Sequence, residues 1–293
     1  MVGPPFGSLG LQASARRPRP TSNCARGLPL PLRRASDTHL FPNIEKLHFH
    51  DEHNPRDFTP QKWAWPVSMP LVNLTASLDQ LQCFAGVSVR RLYLHWQRAC
   101  KVVGLSSALL SIRPLLLSVQ LSQFDKLEGL SVWAGLLCDI VGPVGRLRHL
   151  EVTFQCNTSK RGRLMPCTWM EWLLPVIAQS SLVGVRLGFA VGSTTTSELD
   201  EMQKSAPDIA RQVAARVASL QYVCVAMGPR SYDPRQYHRR VLEGCTWWRV
   251  RGDAGQRCVE SMSNESGERV ESYMRSADFE RKLSLDGFIL PGT

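Results

Sequence analysis

An aliphatic residue, two variable residues, a second aliphatic residue, one variable residue and a further apolar residue make up a phrase that recurs along this chain. The six copies are Ile44-Leu47-Phe49, Val89-Leu92-Leu94, Leu127-Leu130-Val132, Leu147-Leu150-Val152, Leu182-Val185-Leu187 and Leu220-Val223-Val225. A degenerate seventh reads Cys245-Trp248-Val250. Side chains alternate across an extended strand with period two, so the fourth and sixth positions of each phrase share one face. Each copy therefore predicts a short strand that sends those residues inward and its variable residues outward. Helical patterns lie between the strands. Trp169, Trp172, Leu173, Val176 and Ile177 recur with helical spacing, although Pro175 implies a kink or a late start. A second helix begins near Pro207 and aligns Ile209, Val213 and Val217, and a last one aligns Val270, Tyr273, Met274 and Ala277. Residues 106–122 read as a helix interrupted at Arg113-Pro114, and residues 58–77, with Pro60, Pro66 and Pro70, read as loop.

The phrase resembles the front half of the leucine-rich-repeat consensus, whose units must stack to bury their apolar faces. First positions at 44, 89, 127, 147, 182, 220 and 245 leave gaps of 45, 38, 20, 35, 38 and 25. Only the 20 and the 25 fall in the usual range of that repeat. The expected fold is thus α/β: an irregular leucine-rich-repeat-like solenoid of short parallel strands with helices on the convex side. It would occupy residues 41–293, with the last helix capping the open end of the stack. The rival is an irregular α/β domain with several buried strands.

At 293 residues and 43% hydrophobic content the chain is long and apolar enough for one solenoid or two ordinary domains. The formal charge of +10 is uneven. Residues 1–40 carry six arginines against one acid, Asp37, hence +5 in a proline-rich tail expected to be disordered. The tail is expected to be inert; its proline density disfavours the amphipathic helix of a presequence, and a short nuclear-import patch at Ala15-Arg16-Arg17-Pro18-Arg19 is the other alternative. The nine cysteines are odd in number and form no C-x-x-C pair, which points to a reducing interior, cytoplasmic or nuclear. The most apolar stretch, 105–121, is broken by Arg113-Pro114 and is too short to span a bilayer.

Several residue strings are similar to those of the basidiomycete F-box/leucine-rich-repeat proteins. They are Phe124-Asp125-Lys126-Leu127-Glu128-Gly129-Leu130-Ser131-Val132-Trp133, Arg146-Leu147-Arg148-His149-Leu150-Glu151-Val152-Thr153-Phe154, Trp172-Leu173-Leu174-Pro175, Ser219-Leu220-Gln221-Tyr222-Val223 and Cys245-Thr246-Trp247-Trp248-Arg249-Val250. The resemblance implies repeats that recruit a target protein, and in that family an F-box docks the adaptor of a cullin-type ubiquitin ligase. The tail of residues 1–40 supplies no F-box, so the adaptor is expected as a partner only if that motif is missing from this chain. The asparagine ladder of the full consensus is also replaced, by Glu52, Gln97, Gly135, Gln155, Ala190, Gly228 and Asp253.

If the strands line a concave face, its outward positions include His48, His50, Tyr93, His95, Trp133, Glu151, Thr153, Arg186, Arg249 and Arg251. Aromatic and arginine side chains of this kind anchor protein interfaces. The arginines are too dispersed for a groove that tracks phosphates, so a protein partner is expected and nucleic acid is not. His48 and His50, at i and i+2 on one strand, and His53 after the following turn are the alternative: a zinc-dependent hydrolase site. The later ligands such a site needs are not supplied by any recognisable motif. No nucleophile motif or phosphate-binding glycine fingerprint is present. The expected function is therefore a non-catalytic protein-binding scaffold without cofactor or metal. A truncated gene product without independent activity is the other alternative.

Overall fold

The computed structural model describes residues 10–15, 44–50, 71–77, 80–96, 105–121, 138, 146–156, 166–191, 196–229, 244–252, 256–285 and 288. The chain divides into two compact units, Met1–His95 with Cys100–Pro114, and Trp96–Ala99 with Leu115–Thr293.

In the first unit, β1 (Gly10–Ala15) pairs antiparallel with β2 (Ile44–His50). Beyond β2 lie β3 (Leu71–Ser77) and β4 (Val89–Trp96), each parallel to its neighbour. Leu47 stands opposite Leu74, and Leu74 opposite Leu92, so the fourth positions of the phrases align, and all three are fully buried. Two expectations are corrected here. Gly10–Ala15 is a strand, not part of a disordered tail: the stretch between Pro5 and Pro18 is free of proline, and an open strand edge satisfies its backbone groups. Leu71–Ser77 is a strand and not loop, because Leu71-Leu74-Ala76 is a further copy of the phrase with a small sixth residue.

A 3-10 turn at Leu81–Phe84 packs against α1 (Leu105–Ile112), and the backbone N–H of Gly86 donates to Ser111 Oγ at 3.0 Å. The expected helix over 106–122 stops early. Arg113 turns into the left-handed region at φ 48°, and Pro114 has no N–H with which to continue. Residues 116–121 then become a strand.

The second unit holds, among the described residues, β5 (Leu116–Leu121), β6 (His149–Cys156), β7 (Gly184–Val191), β8 (Tyr222–Pro229), β9 (Cys245–Arg251) and β10 (Cys258–Met262). Strands β5 to β8 are parallel and neighbour each other in chain order. Leu117, Leu150, Val185 and Val223 line up across them, followed by Val119, Val152, Leu187 and Val225, all essentially without solvent exposure. The register places Pro114-Leu117-Val119 as another copy of the phrase. The copy at Leu127-Leu130-Val132 lies outside the described residues.

Strand β9 runs antiparallel to β8, and β10 antiparallel to β9, so the phrase at Cys245 is not a further parallel unit. Alternation with period two is the same whichever way a strand runs, which is why it carries no direction. The fold is mixed α/β with mostly parallel strands.

Parallel neighbours need crossovers, and right-handed crossovers that always step the same way place their helices on one face. Helix α2 (Pro166–Ile177) links β6 to β7; α3 (Thr196–Lys204) and α4 (Ala206–Arg216) link β7 to β8. Met170, Leu173 and Ile177 of α2 and Ile209, Ala210 and Val213 of α4 are buried. Phe154 meets Trp172 edge-to-face at 6.2 Å and stacks on Phe189 at 5.4 Å. Pro175 lies on the exposed side of α2 and does not end it. The C-terminus of α4 is closed from afar: the Arg257 guanidinium donates to the carbonyls of Ala214, Val217 and Leu220. Ala214 is among the last four residues of the helix, whose carbonyls a helix end leaves unpaired.

The last helix is two helices. In α5 (Asn264–Met274) the Ser263 hydroxyl accepts from the Ser266 N–H, and in α6 (Ala277–Lys282) the Ser276 hydroxyl accepts from the Phe279 N–H. Both are N-caps of the usual kind. Ala277 therefore begins a new helix and does not extend the stripe of Val270, Tyr273 and Met274.

Candidate functional site

Residues His149, Glu151 and Thr153 of β6 share one side of the sheet with Gly184, Arg186 and Gly188 of β7, with Tyr222 and Cys224 of β8, and with Cys245, Trp247 and Arg249 of β9. This is the side opposite the crossover helices and the one expected to face a partner. It is covered instead by α5. Two glycines allow the close approach. A Cβ on Gly184 would stand 2.6 Å from His149 Nδ1 and 2.7 Å from Met274 Sδ. A Cβ on Gly267 would stand 2.1 Å from Cγ of the buried Trp247 ring. Around this seam Val270 and Met274 join Leu115, Val183, Tyr222, Phe279 and Leu285 in a second apolar core, so α5 covers a sheet face and is not confined to an open end.

The charges on that face are matched by charges on α5. Arg186 Nη1 donates to Glu271 Oε1 at 2.7 Å, with both side chains about 10% exposed. Arg275 Nη2 donates to Glu151 Oε1 at 2.6 Å and also pairs with Glu271. His149, 1% exposed, completes the chain: its Nε2–H donates to Glu151 Oε1 at 3.3 Å, the tautomer that an ionised acceptor selects. Burial raises the Glu151 carboxyl, but Arg275, the His149 hydrogen bond and Arg186 together hold it well below the usual range. For Arg186, burial favours loss of the proton, and Glu271 beside it more than reverses that, so the proton is held more firmly than usual.

A carboxyl lowered in the folded chain adds stability above its unfolded pKa, and that contribution disappears as pH falls through the folded value. Stability should therefore decline as pH drops below about 4.5, the ordinary value for this carboxyl. Urea midpoints measured from pH 6 to pH 2 should fall less steeply for Glu151→Gln, which cannot titrate. Equal slopes would remove Glu151 from the acid response.

The structure separates the expected partner-facing residues. Glu151 and Arg186 are brought together beneath α5 and are committed to it. Thr153 and Arg249 lie on the same face and are half-buried, while Arg251 is about half exposed and its Nε donates to Glu260 Oε2 at 2.8 Å. Tyr93, half-buried, and His95 lie on β4 in the first unit, opposite Thr75 and Ser77. His48 and His50 lie on β2 opposite Gln12 and Gly10. Trp133 and His53 lie outside the described residues. Among the described residues no group of three or more His, Cys, Asp or Glu is placed to hold a metal ion.

Glu271 and Arg275, which sequence reasoning did not single out, carried one signal. Glu271 sits inside the apolar stripe of α5, and an acid in such a stripe needs a buried cation. Cys224 and Cys245 form no C-x-x-C pair and gave no such signal, yet they meet on this face beside Arg186.

Compared with protein-family models and with curated protein sequences, the chain matches none. Among the described residues no helix is long and apolar enough to cross a membrane.

Proposed function

We propose that this chain is a non-catalytic protein-binding scaffold of the leucine-rich-repeat type, working inside the cell in the cytoplasm or nucleus. Target recognition related to that of F-box ubiquitin-ligase subunits is the specific form of this reading. The observation that carries it is the in-register repetition of one phrase on neighbouring parallel strands, with Leu117, Leu150, Val185 and Val223 side by side. Such stacking turns the variable positions into a continuous surface, which is the use repeat scaffolds make of it.

Because Glu151 and Arg186 hold α5, the contacts to a partner fall to the rim that stays open: Thr153, Arg249 and Arg251 in the second unit. Arginines at such positions attract acidic or aromatic partner surfaces. The test is capture of partners by the tagged full-length chain, quantified by mass spectrometry against Arg249→Glu/Arg251→Glu. Loss of the exposed Arg251–Glu260 pair itself costs at most about 1 kcal/mol of stability, and thermal denaturation of the variant checks that it stays folded. Specific partners should drop about tenfold or more, as for loss of an arginine anchor. An unchanged set of captured proteins, or none above background, would overturn the proposal.

A further inference from the structure

Two cysteines far apart in sequence meet on the sheet face beneath α5. Cys245 on β9 lies opposite Ala226, and Cys224 on β8 lies opposite Trp247, so the two thiols occupy diagonal positions on one side of adjacent antiparallel strands. The two thiols are close enough to act on each other, Cys224 as the hydrogen-bond donor that shifts Cys245 downward while its own pKa is raised. Arg186 Nη2 also donates to Cys245 Sγ, at 3.4 Å, while its Nη1 is held by Glu271. Cys224 is fully buried and Cys245 is partly open to solvent. From this cluster we infer that Cys245 and Cys224 form a peroxide-responsive dithiol: Cys245 is the attacking thiolate and Cys224 the thiol that resolves it into a disulfide.

The geometry divides the roles. The hydrogen bond from Cys224 lowers the pKa of Cys245 against the effect of burial, and Arg186 adds to it. Burial keeps the Cys224 thiol protonated well above the ordinary thiol range, and the bond it donates to Cys245 adds to this. A thiolate that is reachable, beside a cation and next to a second thiol, is the arrangement that peroxide oxidation selects. In the first step the Cys245 thiolate attacks one oxygen of hydrogen peroxide; the O–O bond breaks, and the departing hydroxide takes a proton to become water. Cys245 is left as a sulfenic acid. In the second step Cys224 sulfur attacks the Cys245 sulfur, the S–O bond breaks, and the leaving hydroxide carries off the Cys224 proton as a second water. Two thiols thus lose two electrons, and one peroxide becomes two waters.

Diagonal strand positions place Cα atoms about 7–8 Å apart. That is at or beyond the span of a relaxed disulfide. The bond would draw the strands together and would be readily reduced, as strained disulfides are. Reversibility therefore follows from the register.

The test uses the reduced full-length chain, treated with hydrogen peroxide at pH 7, blocked with iodoacetamide and digested with trypsin without reduction. Cys224 falls in peptide 217–230 and Cys245 in peptide 241–249, and neither peptide holds another cysteine. The expected result is one cross-linked pair of these two peptides that disappears on treatment with dithiothreitol. In Cys224→Ala the sulfenic acid should persist and be trapped by dimedone on Cys245. The alkylation of Cys245 should have a pH midpoint below the ordinary thiol value of about 8.5, rising in Cys224→Ala. Cross-links that join other cysteines, or a Cys245 that peroxide leaves as a free thiol, would overturn the inference. Both are read on the unmutated chain, so they decide the matter even if a variant fails to fold.

Discussion

Glu271→Ala should lower the stability of the second unit by about 3–5 kcal/mol, the cost of leaving a buried charge without its partner. Arg186 is 8% exposed and has its shortest contact, 2.7 Å, with Glu271. Without that carboxylate the guanidinium keeps the Cys245 sulfur and the field of Glu151, which places the effect toward the lower end of the range. Arg275 loses one acid and keeps Glu151, so it is not stranded. Urea unfolding of the full-length chain measures the loss, and hydrogen exchange of α5 shows where it falls. The size should not be taken as the net worth of the ion pair. Replacing both partners together, as Arg186→Met/Glu271→Leu, should recover most of the loss, because two apolar side chains carry no unpaired charge. A single-variant loss below about 1 kcal/mol would mean that the pair behaves as a surface salt bridge.

Gly267→Ala should also be destabilising, by about 1–2 kcal/mol net, although the same change inside an exposed helix is favourable. Alanine gains about 1 kcal/mol over glycine from helix propensity alone. Here the new methyl group would stand 2.1 Å from Cγ and 2.4 Å from Cδ1 and Cδ2 of Trp247, a ring only 2% exposed. Neither the ring nor α5 can give way without opening the seam that Val270 and Met274 fill. Overpacking of that kind costs about 1–3 kcal/mol and at times more, so the clash outweighs the propensity gain. Ser272→Ala, on the exposed side of the same helix, is the control and should stay within about 0.5 kcal/mol of the parent. Thermal and urea denaturation decide the sign. A stabilised Gly267→Ala would mean that α5 does not approach β9 as described.

Both results bear on how much of this molecule can be read from its residues. The phrases at Ile44, Val89, Leu147, Leu182 and Leu220 were legible because alternation is a local property. Leu71-Leu74-Ala76 and Pro114-Leu117-Val119 were missed for different reasons. In the first, a small sixth residue and nearby prolines hid the alternation. In the second, the run Leu115 to Leu117 is apolar on both faces, as happens in parallel strands, and periodicity cannot separate such a run from a buried helix. The phrase at Cys245 was legible as a strand and misleading as to direction. Of the expected partner-facing residues, Arg251 remains exposed, while Glu151 and Arg186 turn out to be the sockets of α5.

The sequence by itself determined which residues of each strand share a face and which helices carry an apolar stripe, since backbone geometry sets both periods over a few residues. Only the tertiary structure decided what meets each face. Arg186 finds Glu271 across 85 residues, Arg275 finds Glu151 across 124, and Cys245 comes to lie diagonal to Cys224. Those pairings depend on the direction of β9, the return of β10 and the short reach across Gly184 and Gly267. A local period contains none of them, because it sets the side to which a residue points and not the element that arrives there.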